Sequence, residues 1–417
     1  MKTTIADPLV HIPRPAERRL ALRVTPAAQR VLRGAHPWLF DEGIVSRSGE
    51  GQPGDLAVIF DDRRRFLAIG LYDPTSPIRV RVLHQGAPEL IDRAWLCDRL
   101  AAAVAWRATL PENGTTGYRL VHGENDGLPG LVIDRYDAVL VVKLYTLAWV
   151  PWLAELRGAL EGACPARTVV LRLSRDLLRH PDYLYGLADG MALLGPAPHG
   201  PIPFSENGLR FEADVIRGQK TGFFLDQRDN RARVGELSAG RRTLNVFAYT
   251  GGFSLYAARG GAPEVLSLDS SAPALKAAER NFALNCHIPS VAAARHSVLI
   301  ADAFEALADL RLRGQRYDLV IVDPPAFAKR QEEVSRAVRT YNRLTGLALG
   351  VLAPGGTLVM SSCSSRVSAP VFFAAVNRAA AQVGRPLIEG DRTGHPIDHP
   401  VRFPEGAYLK CLFAVAP

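Results

Sequence analysis

Between residues 202 and 417 short apolar runs alternate with stretches of helical periodicity. Strands are predicted at 243–248, 265–268, 298–301, 318–322, 357–361 and 408–415, with helices near 226–238, 253–259, 272–285, 303–312, 332–352 and 370–383. Runs such as Leu319-Val320-Ile321-Val322 lack polar alternation, so they read as strands covered on both faces. This pattern predicts an α/β domain built on a doubly wound, mostly parallel sheet. The chain before it is patterned differently. Alternating segments at 19–24, 56–60, 66–72 and 78–83, broken by turns such as Gln52-Pro53-Gly54-Asp55, predict a small β-barrel. An alanine-rich helix at 91–110, strands near 118–123, 131–136, 139–144 and 168–173, and a helix near 149–162 predict a central α/β domain. The Pro/Gly-rich stretch 194–201 reads as a linker. The expected division is a basic tail at 1–18, the barrel at 19–88, the central domain at 89–195 and the large α/β domain at 196–417.

A chain of 417 residues exceeds one ordinary core, which agrees with several domains. No apolar stretch is long enough to span a bilayer, and the first residues lack the apolar core of a secretory signal. A cytoplasmic protein without a membrane partner is expected. Five scattered cysteines with no CxxC pair argue against zinc and against a disulfide framework, so no metal site is expected. The net charge of +8 favours a polyanionic partner. Seven basic side chains fall within the first 35 residues (Lys2, Arg14, Arg18, Arg19, Arg23, Arg30 and Arg33), against Asp7 and Glu17.

The chemistry concentrates at strand ends. Asp323-Pro324-Pro325-Ala326-Phe327 closes one apolar run, and Ser361-Ser362-Cys363-Ser364 closes another, with Asp323 and Cys363 40 positions apart. Carboxyl ends of parallel strands are where open α/β sheets place ligands. A carboxylate in a stiff diproline turn beside a thiol suits attack on a flat heterocycle through sulfur while its polar edge is held. Cys286 and Cys411 read instead as buried, inert cysteines. A third strand end runs into Tyr249-Thr250-Gly251-Gly252, whose glycine pair lets a ligand approach the backbone. Asp269 ends the next strand, placed for ribose hydroxyls, and Asp302 precedes Ala303-Phe304, placed for an adenine edge. The turn lacks the GxGxxG of a dinucleotide site, so a nucleoside cofactor without phosphates fits better. S-adenosylmethionine is the common one.

The block from Lys220-Thr221-Gly222-Phe223-Phe224 to Arg231, the turn from Phe247 to Phe253, the Asp-Pro-Pro-Ala-Phe segment and Ser362-Cys363-Ser364 together resemble the large-subunit ribosomal RNA cytosine-5 methyltransferases. Residues 20–88, with Gly34-Ala35-His36-Pro37-Trp38, look like that family's PUA-like RNA-binding domain, and 122–131 like its central domain. The resemblance implies a class I, Rossmann-like methyltransferase domain that uses S-adenosylmethionine. It further implies a covalent Cys363–cytosine intermediate, with Asp323 on the amino and ring-nitrogen edge of the base. Cofactor contacts are expected from Lys220, Thr221, Phe223, Arg228, Phe247, Tyr249, Thr250, Gly251, Asp269, Ser270, Asp302, Ala303, Asp323 and Pro324. Substrate contacts are expected from Pro325, Phe327, Lys329 and Arg366. Two residues depart from the family pattern: Arg366 where relatives often have histidine, and His122 where many have asparagine. The implied partner is ribosomal RNA with a single-stranded or flipped-out target, and a homodimer is an admissible assembly. Competing readings are a base N-methyltransferase or uracil C5 methyltransferase on the same scaffold, and a non-catalytic RNA-binding assembly factor.

Overall fold

The computed structural model describes residues 7–417, so Lys2 of the basic tail lies outside the described residues. The chain forms two compact units. One holds residues up to 208, 213–225 and 397–403; the other holds 209–212, 226–396 and 404–417.

The first unit contains two sheets. β1 (Leu20–Val24), β2 (Trp38–Phe40), β3 (Ile44–Arg47), β4 (Leu56–Phe60), β5 (Phe66–Tyr72) and β6 (Ile78–Gln85) pair in the order β2-β6-β5-β4-β1-β3. β1 alternates buried and exposed residues, as a strand with one covered face should. The sequence pattern missed β2, β3 and the helix Pro26–Arg33. The two strands have three and four residues, too few to show a period. The helix buries only Gln29 and Leu32, and is defined by Thr25, whose side chain caps Ala28 N, and by Pro26 in its first turn.

β7 (Gly117–His122), β8 (Leu131–Tyr136), β9 (Val139–Leu144), β10 (Thr168–Leu173) and β11 (Ala192–Leu194) form the second sheet, in the order β11-β10-β9-β8-β7. Helices Arg93–Trp106 and Leu153–Ala163 accompany it. The two sheets share one core: Leu56, Ile69, Leu71 and Leu83 lie in the same cluster as Leu96, Leu131, Trp149 and Leu171. Polar contacts reinforce this. Trp152 Nε1 donates to Gly54 O at 2.8 Å, and Glu124 accepts from Trp38 at 2.8 Å and from Arg81 at 3.0 Å. β12 (Ile202–Glu206) and β13 (Leu209–Ala213) follow the stretch read as a linker.

The second unit carries a seven-stranded sheet of β14 (Thr243–Val246), β15 (Glu264–Asp269), β16 (Arg295–Ile300), β17 (Tyr317–Val322), β18 (Leu352–Ser362), β19 (Ile388–Thr393) and β20 (Lys410–Ala416). Their order is β16-β15-β14-β17-β18-β20-β19, parallel through β18, with β20 antiparallel to both neighbours. The doubly wound expectation holds. Strand order reverses at β14, where one crossover leads outward to β15 and the later one returns to β17, which opens a crevice at the carboxyl ends. β19 escaped the sequence reading because Ile388-Glu389-Gly390-Asp391-Arg392-Thr393 is a charged sheet edge without apolar alternation. No helix among the described residues is long and apolar enough to cross a membrane.

Candidate active site

The turn after β14 is held in a conformation most residues avoid. Phe247 and Tyr249 have φ of 62° and 49°, and Gly251 has 76°. Left-handed backbone at a non-glycine residue costs about 1–2 kcal/mol, so surrounding bonds must impose it. Tyr249 N donates to Asp269 Oδ2 at 2.8 Å, Ala248 N to Leu268 O at 3.0 Å, and Asn281 Nδ2 to Thr250 O at 2.9 Å. Glycine is required at 251, because a Cβ there would lie 2.7 Å from the Cβ of Ala278. Beneath the turn, Asn245, Ser254, Ser267 and His296 form a hydrogen-bonded ladder. Burial pulls the imidazole of His296 down to about 4, so it is neutral at physiological pH.

Asp269 braces two segments, accepting from Tyr249 N through one oxygen and from Ser271 N at 2.9 Å through the other. The helix cap itself is Ser271, beside the exposed Ser270. Asp302 Oδ1 caps the helix Ala303–Leu312, accepting from Phe304 N at 2.9 Å, and it stays exposed while Ala303 is buried. Thr250 Oγ1 is buried without a hydrogen-bond partner. A turn that admits no Cβ, an orphaned hydroxyl and two strand-end carboxylates together fit a nucleoside cofactor.

β17 and β18 are adjacent, with Val322 opposite Met360, which brings the Asp323 and Cys363 segments together. Gln227 spans them: its Nε2 donates to Asp323 Oδ1 and to Ser361 Oγ, each at 2.9 Å. Asn230 Nδ2 fixes the amide by donating to Gln227 Oε1 at 2.6 Å. A second tie joins the loops where Ser364 Oγ donates to Ala328 O at 2.9 Å. Pro324 is buried and Pro325 exposed. Phe327 is half-buried, its ring centroid 5.1 Å from that of Tyr341, whose hydroxyl shares a 2.7 Å bond with Ser362. Burial pushes the Tyr341 phenol up to about 12. Cys363 is half-buried. Lys329 and Arg366 are exposed on the two loops.

Two supporting residues were not recognised from the sequence. Gln227 sits in the conspicuous block after Lys220, yet nothing local marks it as the bridge. Lys410 is 3% exposed at the start of β20, opposite Ser362, and its ammonium donates to the carbonyls of Ser364 and Tyr408. Burial lowers it to about 8, and the charge of Cys363 opposes that fall. Its signal was available: a lysine inside the apolar run Leu409–Phe413 should be buried and bonded.

Lys220, Thr221 and Phe223 belong to the first unit. There Thr221 Oγ1 donates to Asp134 and Phe223 N to Tyr136 Oη at 3.1 Å, while Lys220 packs its ammonium 4.5 Å above the Phe224 ring centroid. Arg228 is buried in the second unit, its Nε donating to Asp229 at 3.2 Å. One cysteine reading is corrected. Cys411 is buried, and burial raises its thiol, but Cys286 is exposed because the helix Ala272–Leu284 ends before it.

Residues 118–412 match the S-adenosylmethionine-dependent methyltransferase family, and residues 22–85 match a PUA-like domain. A ribosomal RNA large subunit methyltransferase of Deinococcus radiodurans is 51% identical over 400 residues, covering 95% of this chain and 97% of the relative. The ribosomal RNA large subunit methyltransferase I of Pseudoalteromonas translucida is 38% identical, covering 91% and 95%. Among solved structures, a methyltransferase complexed with SAH has a TM-score of 0.80 at 21% identity, covering 95% of this chain and 99% of that one. The neighbour supports the fold, and the relatives support more. With its ligand-ready strand ends, the chain belongs to the S-adenosylmethionine-dependent methyltransferases, in the family of the ribosomal RNA large subunit enzymes.

Proposed function

We propose that this chain methylates carbon 5 of a cytosine in large-subunit ribosomal RNA through a transient bond to Cys363. The names of the relatives support the RNA class, and a cytoplasmic setting is part of the same proposal. The observation that carries the reading is the half-buried Cys363 beside Asp323, on adjacent strand ends bridged by Gln227.

Carbon 5 of cytosine is a weak nucleophile until carbon 6 is attacked. Cys363 adds as thiolate to carbon 6, which makes the ring an enamine with its electron density on carbon 5. S-adenosylmethionine supplies the methyl as an electrophilic sulfonium carbon and leaves as the thioether. Transfer of the carbon 5 proton to Asp323 or to water then returns an electron pair to the ring, the sulfur–carbon 6 bond breaks and the thiolate departs. Asp323 holds the amino and ring-nitrogen edge, and Gln227 fixes that carboxylate. The Lys410 ammonium behind the Cys363 loop favours the ionised sulfur. Asp269 takes the ribose hydroxyls of the cofactor, and Asp302 with Ala303 takes its adenine edge. Arg228, Lys220, Thr221 and Phe223 serve its methionine part. Pro325, Phe327, Lys329 and Arg366 flank the target nucleotide, which must be single-stranded or flipped out to be reached.

The test uses ribosomal RNA fragments carrying 5-fluorocytidine. The covalent adduct should be trapped on Cys363 by mass spectrometry, and Cys363→Ala should lose at least ~10³-fold in turnover. Full turnover by Cys363→Ala would instead indicate methylation of a base nitrogen. Trapping by 5-fluorouridine alone would move the target to uracil.

A further inference from the structure

The six-stranded sheet of the first unit carries a recess of about 360 Å³ where β1, β3 and the turn between β4 and β5 meet. Ala21 and the half-buried ring of Phe60 supply its apolar surface. Arg23, Arg47 and Arg64 stand around it with Ser46 and Ser48, and no carboxylate lines it. Arg47 is partly offset, donating to Glu50 at 2.8 Å and to the Tyr72 hydroxyl at 3.0 Å. Arg23 is different: its Nε donates to Ser46 Oγ at 2.9 Å, which orients the guanidinium without neutralising it.

Arg64 is presented by a built turn. Buried Asp61 accepts from the backbone of Arg63 at 2.9 Å and of Arg65 at 2.8 Å, and takes the side chains of Arg65 and Arg33 as ion pairs. Its own carbonyl accepts from Arg64 N, and Arg64 is left at φ 57°. A non-glycine residue keeps such a conformation only where its surroundings over-determine it. Among the described residues, neither Arg23 nor Arg64 meets a carboxylate. Two uncompensated cations beside an aromatic face call for a ligand with an anion and a flat ring at short separation. A nucleotide has both, and only a single strand leaves its base face open to an aromatic ring.

We propose that this recess binds one nucleotide of single-stranded RNA, the base against Phe60 and the phosphate between Arg23 and Arg64. The site rests on RNA being the partner and is independent of the chemistry at Cys363.

The test is fluorescence anisotropy of the full chain with a labelled single-stranded oligoribonucleotide and with a duplex of the same composition. The double variant Arg23→Ala/Arg64→Ala should bind the single strand ~10-fold more weakly, with a salt slope shallower by about 0.7, the value for one lost phosphate contact. Arg64→Lys should keep the slope. Phe60→Leu should weaken binding and leave the slope unchanged. Turnover at saturating RNA should be preserved in all of them, so loss of catalysis and loss of this site are separable. The proposal is overturned if the double variant keeps wild-type affinity and slope, or if duplex binding falls equally. A silent Phe60→Leu, or preferred binding of anionic vesicles over RNA, would also overturn it.

Discussion

Asp61 and Gln227 are both side chains that staple the backbone around them, but at different ranges. Asp61 closes a five-residue turn, and all its partners except Arg33 lie within four positions. Gln227 joins Asp323 and Ser361, which are 96 and 134 positions away. A local staple shapes one turn and fails locally. A long-range staple sets the distance between the Asp323 and Cys363 loops, so under the proposed mechanism its loss should reach the chemistry before it reaches the fold.

That contrast is sharpest in Gln227→Leu. The proposed mechanism expects turnover to fall ~10²-fold, with Asp323 no longer held against its strand neighbour. Burying Ser361 and Asn230 without their partner should cost about 1–3 kcal/mol as well. Steady-state kinetics beside urea denaturation separates the two effects, and unchanged turnover would make Gln227 merely structural. Asp61→Asn should show the reverse: about 1–2 kcal/mol lost from the first unit, read in the urea midpoint, and turnover at saturating RNA preserved.

Lys410 is the subtlest case, with one partner two residues away and the other 46. Its ammonium is lowered to about 8 by burial, from an ordinary value of 10.5. Between those values the unfolded chain binds more protons than the folded one, so this contribution to stability rises with pH from 8 to 10.5 and is absent below 8. Lys410→Met should therefore remove a pH dependence seen between about pH 8 and pH 10.5 in urea midpoints. Under the proposed mechanism the same variant should also slow trapping of the fluorinated RNA at neutral pH.

The range of these contacts also explains how much was legible beforehand. The parallel sheet could be read because β14, β17 and β18 are apolar runs, Asp323 because it is the first polar group to end one, and Cys363 because it sits in the polar stretch Ser361-Ser362-Cys363-Ser364 that ends another. Their adjacency followed from consecutive strands in a doubly wound order. β2 and β3 were too short to show a period, and β19 carries charge where a strand signal would need apolar residues. Gln227 had no local mark, since its meaning depends on pairing across the sheet. Cys286 was misjudged because its apolar neighbours in sequence belong to a helix that stops two residues earlier.

The core common to the two sheets of the first unit has a practical consequence. Residues 22–85 match a PUA-like domain, yet Ile69, Leu71 and Leu83 are at most 6% exposed and share a core with the neighbouring sheet. Cut out alone, that fragment would wet three large side chains at about 1.5–3 kcal/mol each, and it should clump during purification. Dissection by gene truncation would then report poor solubility for a sheet whose core is covered in the intact polypeptide.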